Sequence, residues 1–348
     1  MRRMTKTAAL LSAAALMLSA CGGNDTTESG SNNGGDNAPQ SDIKVGMAYD
    51  VGGRGDQSFN DAAARGMDQA TEEFGMESQE SEASDGEPES AREERLRTFA
   101  DAGYDPIVAV GFAYESAVAK VAKEYPDSHF AIIDDEVAQG DNIANLVFAE
   151  EQGSFLVGAA AALKTETDNI GFIGGVEVPL IQKFEAGYKA GAKAVNPDIK
   201  IQTKYLTQPP DFSGFGDPAK GKTAAQGMYD NGADIVYHAA GGSGGGVFEA
   251  AAGSDNWAIG VDSDQYQTAD PSVKDVILTS MLKNVDVAVY EYLSQVNDGT
   301  FPSGVTRYDL EADGVGYSTS GGFVDDITDQ LDEYKQKIID GEITVPTS

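Results

Sequence analysis

A chain of 348 residues with 57 acidic side chains against 24 lysines and arginines carries a formal charge of −33. That balance weighs against nucleic acid and anionic membrane surfaces, which need a basic footprint; it reads as a solvated acidic exterior whose self-repulsion is screened by salt. One cysteine allows no intramolecular disulfide and no cysteine-based metal site, and two histidines give little support to a histidine metal centre or a Ser-His-Asp triad.

In chain order, Arg2, Arg3 and Lys6 precede a short apolar run over residues 8–18, closed by Leu18-Ser19-Ala20-Cys21. This is the positive segment, apolar segment and small-residue cleavage site of a secretory signal over residues 1–20. The run is too short to span a bilayer. A cysteine directly after the cleavage site resembles the bacterial lipobox, so Cys21 is expected to carry lipid and to anchor the chain on the outer face of the cell membrane. Residues 22–41 are mostly Gly, Asn, Ser, Thr and Asp with one Pro, and have little to bury. Such a tether holds a folded body roughly 25 Å from the membrane.

The body opens with a strand-like alternation over residues 43–49 that ends at Asp50, followed by a glycine-rich loop and an alanine-rich helix over 60–74. Short apolar runs at 106–110, 129–133, 169–174, 199–206, 233–237 and 257–261 read as buried strands. Helix-like stretches at 115–124, 153–163, 180–195, 218–231 and 246–252 lie between them. The acidic block 72–94 reads as exposed helix and loop. Alternating strands and helices predict an α/β fold of parallel sheets covered on both faces. There are too many strands for one small sheet, so two lobes are expected, with a first crossing near 149–154. In such folds ligands bind beyond the carboxyl ends of the strands. Those ends carry Asp50, Gly111-Phe112, Asp134-Asp135, Gly174-Gly175, Gly241-Gly242 and Asp262.

Gly216-Asp217-Pro218-Ala219-Lys220-Gly221-Lys222-Thr223 fits a phosphate-loop pattern letter for letter. However, no strand runs straight into it, Pro218 removes a donor, and Asp217 puts negative charge where phosphate would sit. Asp217 as a helix cap with Pro218 in the first turn explains the string better. The glycine run 241–246 follows a strand and precedes a helix, and serves equally as a ligand approach or a flexible connection. His129 reads as structural; His238 follows a strand end, where it either lines a cleft or packs. Arg54-Gly55-Asp56 is uninformative. More telling is a distributed set on strand ends and loops: Asp50, Phe59, Asn60, Asp134, Phe215, Gly241, Asp262 and Lys283. It combines aromatic plates, amide and carboxylate partners for a heterocycle, and an Asp/Lys pair suited to vicinal hydroxyls.

Gly55-Asp56-Gln57-Ser58-Phe59-Asn60 resembles a loop of the basic membrane protein family, the purine-nucleoside receptor lipoproteins of ABC importers. Similar matches run through residues 130–134, 179–188, 215–222, 239–242, 260–265 and 279–283. The resemblance implies a type I periplasmic-binding-protein fold with two Rossmann-like lobes, three hinge crossings and a ligand cleft. Lobe 1 is expected over 43–149 plus about 283–307, and lobe 2 over 150–282 plus about 308–348, after a lipidated linker at 21–42. Carried over by position, Phe59 and Phe215 would sandwich a base; Asp50, Asn60 and Asp134 would bind its edge. Gly241, Asp262 and Lys283 would hold the ribose. Phe212 competes with Phe215, and Asp135 with Asp134. The implied partners are a nucleoside and the permease subunits of an importer, for a monomer with no cofactor and no catalysis. The alternatives are an extracellular nucleoside hydrolase, or the same fold holding a sugar or signalling metabolite.

Overall fold

The computed structural model describes residues 41–348; the expected signal peptide, Cys21 and nearly all of the expected tether lie outside the described residues. In chain order the first half comprises β1 (Lys44–Tyr49), α1 (Phe59–Phe74), β2 (Glu77–Glu82), α2 (Glu89–Asp101), β3 (Ile107–Val110), α3 (Glu115–Glu124), β4 (Phe130–Ile133) and β5 (Ile143–Phe148). Next come α4 (Glu150–Lys164), β6 (Asn169–Val176), α5 (Pro179–Val195), β7 (Lys200–Thr207), α6 (Pro218–Asp230), β8 (Ile235–Ala239), α7 (Gly244–Ser254) and β9 (Trp257–Asp262). The chain ends with α8 (Gln265–Thr268), β10 (Ile277–Lys283), α9 (Val285–Asn297), β11 (Gly304–Tyr308), β12 (Val315–Tyr317) and α10 (Thr328–Ile339).

Two six-stranded sheets result, one in the order β2-β1-β3-β4-β5-β11 and the other β7-β6-β8-β9-β10-β12. Every pairing is parallel except that of β12 with β10. Central strands such as β3, β4 and β6 are buried throughout, which is why they read as unbroken apolar runs. The fold is therefore α/β with two Rossmann-like lobes. The chain passes between them after β5, after β10 and after β11. Because α9 follows β10 yet packs on α1, and β11 pairs with β5, the second crossing returns chain to lobe 1 before the third leaves it.

Glycine sets how closely the crossing helix α4 seats on its neighbour. A Cβ on Gly158, Gly187 or Gly191 would stand 2.1, 2.1 or 1.9 Å from a backbone oxygen of the facing helix, so α4 and α5 touch backbone to backbone. That contact fixes α4 rigidly to lobe 2 from its first turn onward.

The acidic block departs from expectation. Its central stretch, Glu-Ser-Gln-Glu-Ser-Glu, is strand β2, paired in parallel with β1. Its composition disfavours a strand, but at a sheet edge almost wholly exposed the carboxylates stay solvated while the backbone completes the ladder. Lys44 reaches Glu77 at 2.8 Å, and Arg54 pairs with Glu80 and Asp68 at 2.7 and 2.8 Å.

Candidate functional site

The carboxyl ends of both sheets open on a cavity between the lobes, lined by strand ends and loops of each, where ligands of such folds bind. Asp50, Phe59, Asn60 and Asp134 line it from lobe 1, Phe215, Gly241 and Asp262 from lobe 2, and Lys283 from the second crossing. All eight sequence-derived positions are thus brought to one space.

Asp50 sits just past β1 against Gly111, whose φ is +105°; a Cβ there would lie 2.4 Å from Asp50 Oδ2, so only glycine leaves the carboxyl its place. The Asn60 Nδ2 group donates to Asp50 Oδ1 at 2.9 Å and to Asp56 Oδ2 at 3.2 Å. Both amide protons are spent, and Asn60 Oδ1 is left buried without a partner. Asp56 in turn accepts the backbone N–H groups of Ser58, Asn60 and Asp61 at 2.9, 2.9 and 3.1 Å, capping α1 and fixing the rotamer of Asn60. Burial pushes Asp50 up to about 8, against the pull of the Asn60 amide, so the group holds its proton at neutrality.

On the other side Lys283 Nζ donates to Asp134 Oδ2 at 2.5 Å, with Glu150 Oε1 at 3.6 Å. The ammonium lies 4.8, 5.2 and 5.6 Å from the ring centres of Phe59, Phe148 and Phe184. Burial works against its charge, but the carboxylates of Asp134, Glu150 and Asp262 outweigh it and raise the lysine above its ordinary value. The other carboxylate oxygen of Asp134 is buried and unpartnered. Burial also pushes Asp262 up to about 6, opposed by Lys283 and by the Ser58 hydroxyl. The cavity therefore offers free acceptors at Asn60 and Asp134, a protonated carboxyl at Asp50, an ammonium, and aromatic walls. These groups suit an uncharged planar guest with N–H and O–H donors.

Bonds between lobes hold the cavity shut. Ser58 Oγ donates to Asp262 Oδ2 at 2.7 Å, Ser263 Oγ to the Ser58 carbonyl at 2.9 Å, and Gln265 Nε2 to the Gln57 carbonyl at 3.1 Å. Each joins the loop before α1 to the end of β9 or the start of α8.

The structure separates the competing candidates. Phe215 lines the cavity with its ring over Gly175, whereas Phe212 meets Phe112 edge-on at 5.9 Å and does not line it. Asp135 turns away to accept the N–H groups of Val137 and Ala138 at 3.2 and 2.8 Å. His238 belongs to strand β8, not to a cleft: it is fully buried beside Phe248 with neither ring nitrogen hydrogen-bonded, and burial lowers it to about 3. His129 stacks on Phe301 and pairs with Asp105 at 3.0 Å. Asp217 caps α6, accepting the Lys220 N–H at 3.0 Å with Pro218 in the first turn.

Several lining residues lie outside the eight candidates: Val51, Asp56, Leu180, Ile181 and Phe184 among them, with Phe112, which the sequence placed only at a strand end. Leu180 and Phe184 are one helical turn apart, a spacing that places both on one face of α5, so that signal was present. Phe112 stands at a strand end next to Gly111, in the position where ligand contacts are expected.

A family model described as ABC transporter substrate-binding protein PnrA-like (Bmp) matches residues 43–348. The CD4+ T-cell-stimulating antigen of Listeria innocua is 37% identical over 90% of this chain and 90% of its own. The ABC transporter nucleoside-binding protein BmpA of Lactococcus lactis is 34% identical over 88% of this chain and 90% of its own. An ABC transporter solute-binding protein from Aeropyrum pernix superposes with a TM-score of 0.75 at 32% identity, over 88% of this chain and 94% of that one. A binding cavity between two Rossmann-like lobes, with these matches along its whole body, makes this chain a member of the Bmp family of ABC transporter substrate-binding proteins, with a solute as its ligand and a transporter as its partner.

Proposed function

We propose that the protein captures a nucleoside in the interlobe cavity and delivers it, chemically unchanged, to the permease of an ABC importer. The observation that carries this is the set of groups gathered in one cavity: unpartnered acceptors at Asn60 and Asp134, aromatic rings, and Asp262 and Lys283 as residues suited to vicinal hydroxyls. The name of the Lactococcus relative agrees with that guest. In this reading lobe 1 is 43–149 with about 283–307 and lobe 2 is 150–282 with about 308–348. Residues 1–20 direct export, Cys21 carries the lipid, residues up to 42 form the tether, and the receptor acts as a monomer on the outer face of the membrane. Ligand favours the shut form by its greater affinity for that form over the open one. Native mass spectrometry of protein purified from its own cells, with release and identification of the bound molecule, tests the proposal. A nucleoside supports it, and a sugar or other metabolite overturns it.

A further inference from the structure

Glu150 is the first residue of α4, at the point where the chain leaves lobe 1, and it is 1% exposed. Lys283 is the last residue of β10, where the chain returns, and it is 2% exposed. Glu150 does not line the cavity. Its Oε1 lies 3.6 Å from Lys283 Nζ, and its Oε2 is buried with no hydrogen-bond partner. A carboxylate so poorly solvated would ordinarily be eliminated from a fold. Here it faces the one ammonium that, among the described residues, borders the ligand space.

That ammonium is buried and flanked by the rings of Phe59, Phe148 and Phe184, so opposite charges decide where it sits. Asp134 draws it toward lobe 1 at 2.5 Å. Glu150 pulls from the first crossing. Asp134 accepts one of its protons, while Glu150 at 3.6 Å attracts the ammonium without hydrogen-bonding it, so N–H groups remain for the cavity.

We infer that Glu150 is a positioning residue for the sugar half of the site: its carboxylate holds the Lys283 ammonium between the two crossings so that one N–H is presented to the hydroxyls of a bound guest. The inference rests on the nucleoside reading above and extends it to a side chain that never touches the ligand. Burial pushes Glu150 up to about 7, opposed by Lys283 and Lys183 and reinforced by Asp134, so its charge changes across neutrality. Asp50 and Asp262 also titrate near this range. Asp50 sits with the base-reading groups and acts on base and nucleoside alike. Asp262 keeps its pH response in a Glu150 variant.

The test is Glu150→Gln, which keeps shape and removes charge, compared with wild type by calorimetry at pH 6, 7 and 8 with inosine and with hypoxanthine. In the variant, inosine weakens about tenfold, the scale of one charge-assisted hydrogen bond, while hypoxanthine changes less than about twofold. In the wild type the preference for inosine over hypoxanthine rises from pH 6 to pH 8, and the variant loses most of that rise. If Glu150→Gln fails to fold, Glu150→Asp, which keeps the charge but withdraws it from Lys283, takes its place in the same comparison and should weaken inosine more than hypoxanthine. Equal weakening of both ligands, an unchanged inosine affinity, or a flat wild-type preference overturns the inference. Should wild type bind neither ligand, the nucleoside reading falls by itself. The role of Glu150 is then decided on the unliganded protein by the side-chain ¹⁵N resonance of Lys283: a displaced resonance and a lowered lysine pKa in the variant uphold it, and an unmoved resonance overturns it.

Discussion

Removal of one hydroxyl, Ser58→Ala, isolates the contribution of closure to affinity. Ser58 Oγ donates to Asp262 Oδ2 at 2.7 Å, buried, from the loop before α1 in lobe 1 to the end of β9 in lobe 2. The bond exists only when the lobes are together; apart, both groups return to water. A buried hydrogen bond to a charged acceptor is worth about 1.5–3 kcal/mol. All of it is lost from the shut form and none from the open form, so the apparent dissociation constant should rise roughly 10- to 100-fold. The Ser58 carbonyl still accepts from Ser263 and the Gln57 carbonyl from Gln265, so closure is weakened and not abolished. Calorimetry with inosine and hypoxanthine reads the effect. Since the bond is a latch and not a ligand contact, both guests should weaken by the same factor, and stopped-flow should place most of the change in dissociation. An unchanged affinity, or a loss confined to inosine, would refute the reasoning.

Other substitutions probe separate parts of the account. Asp262→Ala should weaken inosine by at least about 1.5 kcal/mol more than hypoxanthine, because a hydroxyl contact goes along with the latch; equal losses in calorimetry would exclude a sugar contact. Asp50 has a folded-state value near 8, above that of an unfolded aspartate, so its stabilising contribution is full below about pH 4 and is lost as pH rises toward 8. Asp50→Asn should therefore resist denaturant better than wild type at pH 8 and lose that advantage at pH 4, a crossover visible in urea titrations. His238 behaves oppositely: its value near 3 means that the unfolded chain takes up the proton first, so stability falls as pH drops below about 6.5. His238→Leu should abolish a loss of about 1.4 kcal/mol per pH unit between pH 6 and pH 4; parallel pH profiles for the two proteins would contradict the burial argument.

Much of the fold was legible because parallel strands covered on both faces must be apolar throughout. Runs such as residues 106–110 and 129–133 could hardly be anything else, and they appear as β3 and β4. Strand β2 was hidden for the converse reason: an exposed edge imposes no hydrophobic pattern, so its six polar residues carry no strand signal. The site was legible where chemistry and position coincide, as at Phe59 and Asn60 just beyond a glycine-rich loop at a strand end. Choosing Phe215 over Phe212 and Asp134 over Asp135 required side-chain directions, which one sequence does not encode at adjacent candidates. Glu150 stayed invisible because an acid in the first turn of a helix looks like an ordinary partner for the helix dipole. Only its burial beside Lys283 sets it apart.

Equilibrium dialysis of the purified body against inosine, followed by chromatography of what the protein releases, bears most directly on the central claim. Saturable uptake of one inosine per chain, recovered whole, is the predicted result. Absence of saturable uptake, or recovery of hypoxanthine and free ribose, would contradict a receptor that shuts around a nucleoside and lets it go intact.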